Sequence, residues 1–183
     1  VLIRPKRSTL GSRKEVDLER GFNFPNYIPY VNTDVLPDGY PVVQEQSKHW
    51  RGIPIMAANM DGVGTFEMAT KLAEQKIFTC LVKTYEVMEL VNFFDDPENT
   101  ERNNYVAYSM GITDADHEKF RTVYEQAPDI KFVCIDVANG YSERFTDFVR
   151  NFRSLYPNVA IIAGNVVTAD QTQELILSGA DIG

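Results

Sequence analysis

Lys131-Phe-Val-Cys-Ile-Asp-Val-Ala-Asn-Gly-Tyr-Ser142 decides how the chain folds. Phe132 to Ile135 is a short apolar run of aromatic and branched residues, the signature of a strand buried on both faces. It ends on the carboxylate of Asp136. Val137-Ala138-Asn139-Gly140 then turns the chain, and an amphipathic helix follows from about Glu143. An acid just past a buried parallel strand stands at the edge where open sheets and barrels build their sites.

The same grammar repeats on either side. Upstream, Ile53–Ala58 is an apolar run that leads into Asn59-Met60-Asp61-Gly62, and Thr65–Gln75 carries Phe66, Met68, Ala69, Leu72 and Ala73 on one helical face. Ile77–Val82 is a strand ending on Lys83, and Glu86–Phe94 a helix. Tyr105–Tyr108 is a strand ending on Ser109-Met110-Gly111, and a helix follows from Asp114 or Ala115 to Gln126. Downstream of Ser142, Glu143–Tyr156 is a helix, Val159–Ala163 a strand ending on Gly164-Asn165, Ala169–Leu177 a helix, and Ala180–Ile182 the start of another strand.

Units of this kind recur at roughly 25-residue intervals, about the share one βα unit takes in an eightfold barrel of some 250 residues. Alternating βα units imply a parallel sheet with right-handed crossovers. A doubly wound open sheet is the competitor. Two features favour the barrel: strand after strand ends on a polar or glycine residue, and no strand runs into a GxGxxG turn. The reading is therefore an α/β chain of the (β/α)8 TIM-barrel class. It covers the first five βα units and the start of the sixth strand, so further residues are expected to complete the barrel.

Residues 1–52 read differently from residues 53–183, which carry the barrel units. Pro25, Pro29, Pro37 and Pro41 punctuate the earlier part, with Tyr27, Tyr30 and Tyr40 between them and a turn signal at Asp38-Gly39. The expectation is an N-terminal extension packed on the outside of the barrel, with short edge strands or a hairpin. Its Lys6–Arg13 stretch is basic and polar, and composition alone makes it a solvated arm.

The chain has 183 residues, 44% hydrophobic and 24% charged, with a net charge of −8. That is a globular composition whose sign disfavours nucleic acid. No apolar run approaches the roughly 18 residues of a membrane span, and no secretory leader is read at the start. Cys80 and Cys134 both lie inside apolar runs and read as buried, reduced thiols, which fits a cytoplasmic setting. His49 and His117 are isolated, and metal-ligand spacing is absent, so no metal residues are proposed.

Asn59, Asp61, Lys83, Ser109, Gly111, Asp136, Asn139, Gly164 and Asn165 all stand at strand ends and would face one mouth. Hydrogen-bonding groups with one cation and two acids suit a polar ligand such as a nucleotide. There is no evident nucleophile. Each residue also has a plainer reading: Lys83 as a solvated cation, Asp136 as the cap of its turn, Asn59 and Asn165 as turn formers.

The motifs go further. Ala57-Ala-Asn-Met-Asp61 with Val63-Gly-Thr-Phe66, Cys134-Ile-Asp-Val-Ala-Asn-Gly-Tyr-Ser142, Ala163-Gly-Asn-Val-Val-Thr168 and Glu174-Leu-Ile-Leu-Ser-Gly-Ala-Asp-Ile182 closely resemble the IMP dehydrogenase/GMP reductase family, and its reductase branch in particular. Val1–Ser8 and Asp17–Arg20 fit the N-terminal region of that branch. The short Asp95–Asn104 loop, where dehydrogenases usually carry an inserted regulatory domain, and Ala138-Asn139-Gly140, where they have a serine-rich turn, both favour the reductase.

The resemblance implies NADPH-dependent reductive deamination of GMP to IMP and ammonia, with a cysteine attacking C2 of the purine before hydride delivery. That cysteine, a threonine and a glutamate belong after Gly183, so no catalytic residue is assigned within the chain. By the same resemblance, Lys83, Asp136, Val137 and Ala138 contact NADPH, and Ser12 and Arg13 reach the cofactor of a neighbouring subunit. Asn165, Asn59 and Asp61 orient the substrate or a ribose. A potassium ion and a homotetramer are usual in the family. The chain departs from the family pattern at Val82, Thr84 and Gly62, and residues 25–48 look inserted. An IMP dehydrogenase-like oxidoreductase and a non-catalytic nucleotide-binding barrel are the alternatives.

Overall fold

The computed structural model describes residues 4–24 and 48–183. The expected Pro- and Tyr-rich insertion falls almost wholly outside these residues. Strands β1 (Arg20–Phe24), β2 (Lys48–Ala57), β3 (Ile77–Cys80), β4 (Val106–Met110), β5 (Phe132–Ile135) and β6 (Ala160–Ala163) form one sheet in sequence order. β1 pairs antiparallel with β2, and every later pair is parallel. Helices α1 (Phe66–Ala73), α2 (Val87–Phe94), α3 (Asp114–Gln126), α4 (Glu143–Leu155) and α5 (Ala169–Leu177) each follow one parallel strand. A parallel bridge from Ile162 to Ile182 begins the next strand. The result is the expected α/β architecture, a nearly closed barrel-like sheet covered by helices.

Alternation along each strand produces two apolar layers. Val106, Tyr108, Met110, Val133 and Ile135 point outward and pack with α2 to α5 through Leu90, Phe120, Val149 and Leu175. Phe78, Cys80, Ala107, Phe132, Ala160 and Ile162 point inward. Each helix begins at a residue suited to that place. Thr65 Oγ1 accepts from Met68 N, Thr113 and Asp116 form a reciprocal capping box, and Ser142 and Thr168 cap α4 and α5.

The N-terminal extension departs from expectation. β2 begins at Lys48 and runs without a break through the expected boundary at 52/53. Its first half pairs with β1 and its second half with β3. Phe24 and Trp50, 6% and 9% exposed, do not pack outside the barrel but join the inward layer. Phe24 meets Phe132 edge-on at 5.9 Å, and Trp50 meets Phe78 at 6.2 Å. The physical reason is that the N-terminal ends of β3 and β5 present large rings inward, and these need an apolar floor. Burying each added aromatic stabilises by about 1.5–3 kcal/mol. Glu19 secures the segment at this end, with Oε1 2.7 Å from Lys76 Nζ and Oε2 2.9 Å from Arg51 Nε. Above the floor, the inner face borders a cavity of about 400 Å³ beside Met56, Phe78, Phe132 and Ile182.

Candidate functional site

At the opposite end, the C-terminal tips of the parallel strands carry the polar residues. β5 stays paired to its last residue and beyond, since Asp136 N donates to Met110 O at 2.8 Å. This fixes the Asp136 carboxylate over the inward layer. Lys83 follows β3 and reaches across the tip of β4, placing its Nζ 2.9 Å from Asp136 Oδ2. The two side chains are 42% and 38% exposed, so the pair is wet enough to exchange partners. Lys119 on α3 holds the Lys83 loop from behind, donating to Tyr85 O at 2.6 Å and Lys83 O at 3.3 Å. Tyr85 stacks on Phe66 at 3.7 Å, and its hydroxyl accepts from Phe66 N.

Asn165 joins the next two loops. It adopts φ +64°, a left-handed conformation in which asparagine is tolerated better than most residues. That conformation turns its side-chain amide onto Val137 O at 3.1 Å and Ala138 O at 2.7 Å. Gly140 fits beneath: a Cβ there would stand 2.6 Å from Gly164 O and 2.9 Å from Asn165 O. Gln171 Nε2 donates to Gly140 O at 2.9 Å, and Tyr141 Oη accepts from Val167 N at 2.9 Å. Hydrogen bonding with the Thr168 side chain and from the Val167 amide holds the Tyr141 phenol below its usual range. The Asp136–Tyr141 turn is thus clamped to the loop after β6.

A second carboxylate stands behind the rim. Asp116 accepts from Thr113 Oγ1 at 2.6 Å and Thr113 N at 3.1 Å. Burial pulls its pKa upward, but hydrogen bonds from Thr113 and Gly111 and the nearby Lys83 charge outweigh burial and hold it below the usual carboxylate range.

Lys83, Asp136, Val137, Ala138 and Asn165 are therefore brought together by direct contacts. Asn59 is half-buried and Asp61 exposed on the loop after β2, which turns through Gly62 at φ +74° and is tied to β3 by Val82 N donating to Gly64 O. Ser12 and Arg13 lie apart, on an exposed turn preceding the Glu19 anchor at the floor. The residues that sequence reasoning missed are Lys119, Tyr85, Gln171 and Asp116. Only the Thr113–Asp116 capping-box spacing left a signal that could have found one of them. Among the described residues, no group of three or more His, Cys, Asp or Glu side chains could hold a metal ion.

A cation, a carboxylate and clamped main-chain groups at the C-terminal rim define an α/β barrel with a polar rim. The IMP dehydrogenase/GMP reductase domain model matches residues 29–182, and the chain belongs to that family. It is 47% identical over 182 residues to the GMP reductase of Citrobacter koseri, and 46% to those of Phytophthora infestans and Caenorhabditis elegans. Each alignment covers 100% of this chain and 47%, 44% and 45% of the respective relative, so the chain spans about half the length of the curated relatives it matches. The crystal structure of inosine 5′-monophosphate dehydrogenase from Legionella pneumophila superimposes with a TM-score of 0.60 at 23% identity, over 70% of this chain and 38% of that one, and supports the barrel fold. No helix among the described residues is long and apolar enough to cross a membrane.

Proposed function

We propose that this chain carries the cofactor-side half of a GMP reductase barrel, in a protein that converts GMP, NADPH and a proton to IMP, ammonia and NADP. The single observation that carries the reading is the Lys83–Asp136 pair, 2.9 Å across the rim and beside a turn clamped by Asn165, in a chain 46–47% identical to GMP reductases. The donor set fits a nicotinamide dinucleotide. Lys83 offers a half-exposed ammonium to an anionic or hydroxyl oxygen, and Asp136 accepts from a ribose hydroxyl. Val137 and Ala138 form a wall whose carbonyls are already occupied by Asn165. When bound, NADPH supplies the hydride.

Asn165 acts in this reading mainly by holding that wall, and its side-chain Oδ1 orients a ribose. Asn59 and Asp61 face the substrate from the adjoining loop. Ser12 and Arg13 serve a neighbouring subunit's cofactor, where a guanidinium suits a phosphate. The attacking cysteine, its threonine and a glutamate belong to residues after Gly183, as does any potassium site. A homotetrameric, cytoplasmic enzyme acting on free nucleotides completes the proposal.

The test is spectrophotometric. The complete protein is incubated with GMP and NADPH, and loss of the reduced cofactor is followed. Consumption that requires GMP supports the reductase. NADH formation from IMP and NAD, without consumption in the first assay, assigns the dehydrogenase sense instead. Nucleotide binding with turnover in neither direction leaves a non-catalytic barrel.

A further inference from the structure

Lys71, Arg121 and Arg150 each pair with a carboxylate about one turn away on their own helix: Glu74, Glu118 with Glu125, and Asp147. Lys119 on α3 is used differently. The acid one turn before it, Asp116, is taken up by Thr113. The Lys119 ammonium donates instead to two main-chain carbonyls of a distant loop, Tyr85 O at 2.6 Å and Lys83 O at 3.3 Å.

That loop needs an outside hold. β3 ends at Cys80; Leu81 N still donates to Ala107 O at 3.0 Å, and beyond it the chain leaves the sheet. Lys83 then carries its ammonium over the tip of β4 to Asp136. An ion pair as exposed as this one is too weak to fix a loop by itself. The helix that bears Lys119 is firmly seated. Thr113 and Asp116 cap it, and the next residue, Phe120, is fully buried and meets Tyr108 of β4 edge-on at 5.1 Å. A group on a locked element thus grips the main chain on both sides of Thr84, which sets where Lys83 stands.

We infer that Lys119 is a positioning residue, which acts through the carbonyls of Lys83 and Tyr85 to present the Lys83 ammonium at the rim for the dinucleotide. The inference rests on the reading of Lys83 as a cofactor contact. Lys119 itself works from behind the loop. Lys83 is exposed, so water can replace Lys119 at its carbonyl. Loss of the Lys119 ammonium therefore frees the loop and spares the fold.

The experiment is a double-mutant cycle in the complete protein: wild type, Lys119→Met, Lys83→Ala and the two combined, with Lys119→Arg as the conservative variant. NADPH binding is read by calorimetry, which needs no turnover, and KM and kcat by the GMP-dependent assay. Lys119→Met is expected to weaken NADPH binding and raise its KM about tenfold, with kcat little changed. Lys119→Arg should restore both, and Lys119→Met should add nothing once Lys83 is alanine. In the cofactor-free protein, exchange of the Val82 amide, which donates to Gly64 O at 2.8 Å, should quicken in Lys119→Met and recover in Lys119→Arg.

Additive losses in the cycle overturn the inference. So do unchanged NADPH binding in Lys119→Met, a fall in kcat alone, or no rescue by arginine. A protein that binds NADPH but does not consume it with GMP fails the reductase reading alone, and the binding cycle still decides Lys119. A protein that does not bind NADPH overturns both. If circular dichroism shows Lys119→Met to be unfolded, Lys119→Gln, which keeps a neutral donor, takes its place in the cycle.

Discussion

Lys83 Nζ and Asp136 Oδ2 meet at 2.9 Å although their strands, β3 and β5, are not neighbours. The contact spans the tip of β4 and belongs to the rim, not to the sheet. Because both side chains are over a third exposed, breaking it should cost little stability, between about 0 and 1 kcal/mol. In the complete enzyme Lys83→Ala is expected to raise the KM for NADPH or depress kcat, lowering kcat/KM about tenfold or more. Unchanged kinetics would return Lys83 to the role of a solvated cation.

Asn165 supplies two things at once, a left-handed backbone and an amide on two carbonyls. Asn165→Gly keeps the first and loses the second, whereas Asn165→Ala loses both. Glycine should therefore be the more stable variant, by about 1 kcal/mol in urea unfolding. Both should speed amide exchange at residues 137–141 equally. Protection of that turn left intact in Asn165→Gly would show that the amide does not hold it.

Asp116 makes the loop behind the rim sensitive to acid. Its pKa is lower in the folded chain than in the unfolded one. Its contribution is therefore fully present above the unfolded value, near pH 4, and is lost as pH falls through the folded value. Asp116→Asn should cost about 0.5–2 kcal/mol at pH 7, with the deficit shrinking below pH 4. Equal deficits at pH 7 and pH 3 in denaturant titrations would contradict this.

Arg153 and Asp181 form the ion pair at the foot of α4. The Asp181 side chain is fully buried, and Arg153 also donates to Gly179 O at 2.9 Å and Val159 O at 2.8 Å. Burial lowers the Arg153 pKa, opposed by the Asp181 charge. Arg153→Met should destabilise by about 3–5 kcal/mol, because it leaves a buried carboxylate without its cation. Asp181→Asn in the same background should recover part of that loss. No recovery would mean that Arg153 matters through the carbonyls alone.

Periodicity made the five βα units legible because each strand is buried on both faces and each helix carries one apolar face. Phe132–Ile135 and Ala169–Leu177 match expectation to the residue. The rim was legible as a set of strand-end residues, with Lys83, Asp61 and Asp136 as its charged members. What escaped was whatever depends on a partner distant in sequence. Phe24 and Trp50 sit in a stretch without period, and their burial follows from the rings of β3 and β5 across from them. Arg102 and Asn103 lie in what read as a short polar loop. They are buried because they donate to the final carbonyls of α2, Phe93 O and Phe94 O. Gln171 read as an ordinary helix residue, and only the fold shows it holding Gly140.

Trp50 is the chain's single tryptophan, and its indole N–H donates to Asn104 O at the floor. Intrinsic fluorescence therefore views the molecule from below. An emission change on denaturation times the seating of the β1–β2 hairpin, while occupancy of the far rim should leave the signal nearly dark.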